Sequence, residues 1–168
     1  HAVFKNSALE VLGEADRTVL VNNSVVWHGG DVLSDETWAA DRVHVVESDV
    51  GIGSGKTVTI EAGAVVKFSQ GSRLVIGPGA FLLGTGTDAS PILITSLADD
   101  EAGGDTNLDG TDSGPQPGDW SGLIVQGDGQ LGLGGTVEIR YSRHEHAGTL
   151  AADEIWPGKF LHHVAGSV

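Results

Sequence analysis

Short strand-forming runs broken by glycine-rich turns constrain this chain more than any other feature. They cover residues 18–21, 42–46, 57–60, 65–68, 74–76, 81–83, 92–95, 123–126 and 136–141. β-branched and aromatic residues fill them, and Gly, Asn, Asp and Ser bound them. Helical periodicity is nearly absent; residues 34–40 and 150–155 each suit a single helical turn. The spacing points further. Thr57-Val58-Thr59-Ile60-Glu61 and Arg73-Leu74-Val75-Ile76-Gly77 lie sixteen residues apart, each followed by a Gly-containing turn. Val65-Val66-Lys67-Phe68 and Ala80-Phe81-Leu82-Leu83 follow them at nearly the same offset. A unit of strand, turn, strand, turn at a period of roughly sixteen to twenty residues predicts a solenoid. One coil cannot bury its own apolar face, so stacked coils share a continuous core. A sandwich would need longer alternating strands.

Residues 98–120, ADDEAGGDTNLDGTDSGPQPGDW, interrupt this pattern with six Asp, one Glu, one Asn and no basic residue. Carboxylates at that density repel, so the bare loop should be expanded and mobile unless a hard cation with oxygen ligands fixes it. Asp105-Thr106-Asn107-Leu108-Asp109-Gly110 matches the opening of a calcium loop. The position where an EF-hand carries its bidentate Glu holds Gln116, and no amphipathic helix flanks the segment. The pattern therefore predicts a calcium-ordered loop on a β scaffold, with Asp105, Asn107, Asp109 and Asp112 as ligands. Asp99, Asp100 and Asp119 are possible further ligands. The competing reading is a solvated acidic turn. The loop inserts between two strands of adjacent coils, a place where solenoids tolerate insertions.

At 168 residues the chain suits one domain. Its net charge of −14 argues against nucleic acid and anionic membrane surfaces as partners. No Lys, Arg or His occurs between residues 74 and 139. The absence of cysteine excludes disulfide frameworks and thiolate metal sites. No apolar run reaches transmembrane length, so no membrane insertion is expected. A start on His1 is expected for a mature or excised segment. An acidic, Gly-rich chain with a calcium loop fits an extracellular or cell-surface setting.

Several ordered motifs resemble one family. Asp35-Glu36-Thr37-Trp38 and then Lys56-Thr57-Val58-Thr59-Ile60-Glu61-Ala62-Gly63-Ala64-Val65-Val66-Lys67-Phe68 resemble the opening phrase of many bacterial right-handed parallel β-helix surface domains, whose fold is that of pectate lyases. Gly84-Thr85-Gly86-Thr87, Ser90-Pro91-Ile92-Leu93-Ile94-Thr95-Ser96, Gly118-Asp119-Trp120-Ser121-Gly122-Leu123-Ile124 and Val137-Glu138-Ile139-Arg140-Tyr141 are similar to its later segments. Ala62 stands where the family usually has Pro. The resemblance implies a right-handed parallel β-helix from a secreted or surface protein of bacteria or archaea, within a long chain of adhesive, binding or scaffolding role. Residues 1–26 also read as rung-like, either as coils of a preceding helix or as a capping or pairing segment. Residues 27–148 form the body, and residues 149–168 a terminal rung or interaction tail, similar in flavour to the start.

Other candidate sites carry less. A polysaccharide lyase needs a base and a cation, and Lys67 and Arg73 read as solvent-facing strand residues far in sequence from the acidic loop. His144 and His146 share one strand face and, with His162 and His163, form a transition-metal candidate set against ordinary surface histidines. His28 with Asp31 is a weaker pair. Thr57/Thr59 and Thr85/Thr87 recur too sparsely for an ice-binding array. Trp27, Trp38, Trp120 and Trp156 could offer sugar-stacking platforms. Trp38 and Trp120 lie within the family motifs and read as packing residues. Trp156 is the best exposed candidate, with core or interface packing the favoured reading even there. The expectation is an all-β, right-handed parallel β-helix with one long acidic loop. It acts as a non-catalytic, calcium-stabilised extracellular structural or adhesion module. Its expected partners are copies of itself or neighbouring modules of a longer chain, with glycans as a further candidate. The alternative is a carbohydrate-binding or carbohydrate-active β-helix.

Overall fold

A computed structural model of the chain describes the backbone of residues 25–147 and 161–165 and the side chains of residues 25–143. The rung-like reading of residues 1–24, the turn at 150–155 and the side chains of His144, His146, Trp156, His162 and His163 lie outside the described residues. The chain runs β1 (Val25–Val32), β2 (Glu36–Trp38), β3 (Val43–Ile52), β4 (Thr57–Ile60), β5 (Val65–Phe68), β6 (Arg73–Ile76) and β7 (Phe81–Gly86). After them come β8 (Ile92–Ser96), β9 (Gly122–Val125), β10 (Gln130–Gly135), β11 (Val137–Ile139), β12 (Arg143–Ala147) and β13 (Leu161–Ala165). No helix occurs among the described residues; residues 34–40, expected as a helical turn, contain β2 instead.

All strand pairings are parallel. β3 bends round a corner, so its first half pairs with β5 and its second with β6. Three faces result. The first stacks β1, β3, β5, β8 and β11; the second stacks the ends of β1 and β3 with β6 and β9; the third stacks β2, β4, β7 and β10. The sixteen-residue correspondence expected between β4 and β6 does not hold. β4 pairs with β7, so that Thr57 lies on Phe81, and β5 pairs with β8. Each coil therefore has three strands, not two, and the neighbouring runs that look alike in sequence sit on different faces.

Parity decides what is buried. On the first face, Val26, His44, Val66, Ile94 and Ile139 stack in one inward row, and His28, Val46, Phe68 and Ser96 in another. On the third face Glu36, Val58, Leu82 and Leu131 form an inward row. The middle coils bury these positions completely, and Phe68 stacks on Trp120 at a centroid distance of 4.1 Å. In the last coil, inward-row Val125 and Leu131 remain 45% and 43% exposed. Gly84 takes an inward position where a Cβ would lie 2.8 Å from the Ile60 carbonyl oxygen. Adjacent Leu82 and Leu83 differ by face: one is fully buried, the other 38% exposed. Leu82→Ala should cost about 2–5 kcal/mol in denaturant unfolding and Leu83→Ala within about 0.5 kcal/mol of nothing. Equal costs at the two positions would contradict this register.

Candidate metal centre

The acidic stretch occupies the corner between β8 and β9 of one coil, rather than a link between adjacent coils. It folds back over the outside of the first face. The outward row there, Val45, Lys67 and Thr95, is completely buried beneath it. Gly103 lies so close to Val43 that a Cβ would approach its Cγ2 to 2.7 Å, and its φ of +69° favours glycine. The loop is thus a packed cover, contrary to the expanded state expected from its charge.

Lys67 explains the difference. Expected as a solvent-facing residue remote from the loop, its side chain is instead enclosed by it. Nζ donates to the Gly104 carbonyl at 2.7 Å and to Thr106 Oγ1. Burial lowers its pKa to about 8, against the opposing pull of Asp100, Asp99 and Asp105. One ammonium thereby offsets part of the carboxylate repulsion from inside the fold.

Asp100, Asp105 and Asp109 each place a carboxylate oxygen within 4.8 Å of the others, close enough to hold a metal ion. The loop curls around this cluster. Asp105 accepts the backbone N–H of Asp109 at 3.2 Å and of Gly110 at 2.9 Å, curling the chain around its carboxylate. Gly110 turns with φ +74°. Asn107 Nδ2 donates to Asp109 Oδ2 at 2.8 Å and to Ser113 Oγ at 3.0 Å, leaving its own oxygen free. Three buried side-chain atoms lack hydrogen-bond partners among the described residues: Asp100 Oδ1, Asn107 Oδ1 and Asp109 Oδ1. All three are hard oxygen acceptors, the donor set that oxygen-seeking divalent cations take. Desolvation and the neighbouring Asp105 raise the pKa of Asp100, with Lys67 opposing.

The remaining candidates are employed elsewhere. Asp99 is buried and accepts from Thr95 Oγ1 at 2.6 Å, with Arg140 3.8 Å away. Asp119 accepts from Ser96 Oγ at 2.7 Å and from the Gln116 N–H at 2.9 Å, closing the loop. Asp112 is exposed and outside the cluster. Trp120 and Trp38 are buried, whereas Trp27 is exposed on β1. His28 turns inward and Asp31 outward. Thr59 registers with Thr37 on one side, but Thr57 and Thr59 meet Phe81 and Leu83 on the other, so no threonine ladder continues through the next coil. His144 and His162 are register partners in β12 and β13.

A second polar group lies in the first coil, unforeseen from sequence. His44 Nε2 meets the Ala39 carbonyl at 3.1 Å, so that nitrogen carries the proton. His44 Nδ1 must then accept, and His28 Nε2 donates to it at 2.9 Å. The lone pair of His28 Nδ1 is left facing Glu36 Oε2 at 3.9 Å. Trp38 donates to that same oxygen at 3.2 Å, stacks on the His44 ring and meets the His28 ring at a tilt. These side chains line an open cavity of about 580 Å³.

Parallel strands, three faces and inward apolar rows define a parallel β-helix. The chain matches the family model of the pectate-lyase-like beta-helix domain over residues 30–156, and it belongs to that family. No curated protein and no solved structure matches it. No helix among the described residues is long and apolar enough to cross a membrane.

Two predictions follow from these side chains. Lys67→Met removes two charge-assisted hydrogen bonds, worth about 1.5–3 kcal/mol each at most. Amide exchange across residues 98–119 should rise at least about tenfold while β4 and β7 keep their protection; an unchanged loop would refute the pinning role. Burial lowers His28 to about 4 and also lowers His44. The fold thus holds both rings neutral while the unfolded chain protonates near the ordinary value of 6.5. For His28, stability present above pH 6.5 is lost as pH falls towards 4, by up to about 1.4 kcal/mol per pH unit, and His44 adds to the loss in the same direction. Melting between pH 7.5 and 5.5 should show this slope in the wild type and a shallower one in His28→Gln.

Proposed function

We propose that the chain is a non-catalytic extracellular structural or adhesion module whose acidic loop is ordered by calcium. The carrying observation is the set of buried, unpartnered oxygens on Asp100, Asn107 and Asp109 beside the Asp105 carboxylate. Calcium takes six to eight oxygen ligands in flexible geometry, and a loop of carboxylate and amide oxygens suits it better than softer metals. Asp105, Asn107 and Asp109 supply the alternating positions of the loop, and Asp100 enters from its start. An extracellular setting keeps even weak calcium sites filled. The apolar last coil supports association with copies of itself or with neighbouring modules.

A lyase-type reaction draws less support. Lys67 is enclosed and Arg140 is held by Glu138 at 3.0 Å, so the basic residues nearest the acidic cluster are engaged. Glycan binding keeps one point in its favour, the exposed Trp27 on the outer face of β1.

Calorimetric calcium titration of chelator-treated protein should give saturable binding and a melting temperature several degrees higher. At free calcium 100 times the dissociation constant the gain is about 2.7 kcal/mol. Asp105→Ala combined with Asp109→Ala should abolish both effects. Identical melting with calcium and with chelator, in wild type and double variant alike, would defeat the metal reading.

A further inference from the structure

The sequence repeats itself at a spacing that the strand pairing repeats as well. Residues 143–168 align without a gap on residues 25–50, each position with the one 118 residues further on (25 with 143, 43 with 161). The identities are His28/His146, Gly30/Gly148, Asp35/Asp153, Glu36/Glu154, Trp38/Trp156, His44/His162, Val46/Val164 and Val50/Val168. Just upstream, Thr18/Thr136, Val19/Val137 and Ser24/Ser142 keep the same phase. The backbone agrees independently. β1 pairs with β3 by setting Val25 on Val43, and β12 pairs with β13 by setting Arg143 on Leu161. Each pair is parallel and each spans 18 residues, so β12 and β13 reproduce β1 and β3 in register.

What is retained is informative. Many positions differ between the two segments, among them Val45, which becomes His163. The four side chains that touch one another in the first coil, His28, Glu36, Trp38 and His44, all recur. Three of them, His28, Glu36 and His44, occupy inward rows where later coils place Val, Phe, Ile or Leu and, once, Ser96. A purely apolar core would not require them.

The other end of the body shows where the recurrence falls. Val125, Leu131, Leu123 and Ile139 surround a cavity of about 630 Å³ in the last coil. Ser142 and Arg143 line the same cavity, and Arg143 N–H donates to the Trp120 carbonyl at 2.7 Å. The repeat thus begins at the edge of the exit coil.

We propose that the chain contains the joint between two copies of one 118-residue module, and that the apolar exit coil of each copy docks the His–Glu–Trp–His entrance coil of the next. The partner for this surface is therefore the chain's own module. This deepens the structural-module reading, on which it rests for the role of such an array, but it needs no calcium.

The test completes the second copy. Val168 is the counterpart of Val50, so residues 51–142 are appended directly after Val168, and the long chain is compared with the original in calcium and in chelator. If the phase is right, circular dichroism per residue stays constant. Imidazole nitrogen spectra should then show two hydrogen-bonded pairs, one losing its slowly exchanging N–H in His28→Gln and the other in His146→Gln. An appended stretch without amide protection would overturn the repeat. A folded second copy in which His146 and His162 titrate as independent imidazoles would overturn the shared entrance layer. Either failure leaves a calcium-dependent melting shift standing, and loss of that shift alone would leave the repeat intact.

Discussion

A single coil of a parallel β-helix has an apolar interior and two open edges, and neither is stable without a neighbour. Everything else in this molecule follows from how that constraint is met. Within the body, register meets it: Val46 lies on Phe68, Val58 on Leu82, Ile52 on Ile76, so each coil closes the one beneath. Tight inward sites belong to glycine, as at Gly84, because there the backbone of the neighbouring coil takes the space of a side chain. At the ends the solutions differ. The entrance coil lines its interior with imidazoles that satisfy each other and the Ala39 carbonyl. The exit coil leaves Val125 and Leu131 half open.

The acidic loop poses a second problem, charge, and Lys67 meets part of it. Lys67 reaches the loop from the sheet and binds its backbone at Gly104, adjoining Asp105. That contact fixes where the loop crosses the face but supplies one charge, set in a site where burial already weakens the protonated state. Asp100, Asp105 and Asp109 remain close together with oxygens unpartnered. The Lys67 ammonium thus anchors the cover to the scaffold, and the repulsion that remains above it is the part that a divalent ion at the proposed site would relieve. Asp99 and Asp119 contribute differently, as hydrogen-bond acceptors that tie the loop's two ends to Thr95 and Ser96.

Strand positions were legible because β-branched runs and glycine turns act locally. Residues 57–60 and 65–68 match β4 and β5 to the residue. The coil length was not legible, since three short strands of similar composition follow one another and similarity along the chain does not say which face each occupies. β10 escaped notice because Gln130–Gly135 contains three glycines and gains strand geometry only from pairing with β7. The calcium-type spacing of Asp105, Asn107 and Asp109 is carried by consecutive residues and could be read directly. Lys67 could not be placed, because outward parity implies solvent unless something covers the face. The available clue was its row-mate Val45, an apolar residue at an outward position.

A solenoid built only from apolar coils has no unique phase, because any coil end fits any other about equally well. Polar groups in the stack change that, since they are tolerated only where their partners stand. His44 needs a carbonyl at one nitrogen and a donor at the other, and among the described residues Ala39 and His28 meet those needs in the first coil alone. Slipping the pairing by one rung would part His44 from His28 and leave an imidazole nitrogen unpaired. The layer therefore belongs at an entrance and nowhere else in the body. Its recurrence 118 residues later, at a strand pair of the same register, is what a chain would keep if the start of each module had to be distinguished from its middle.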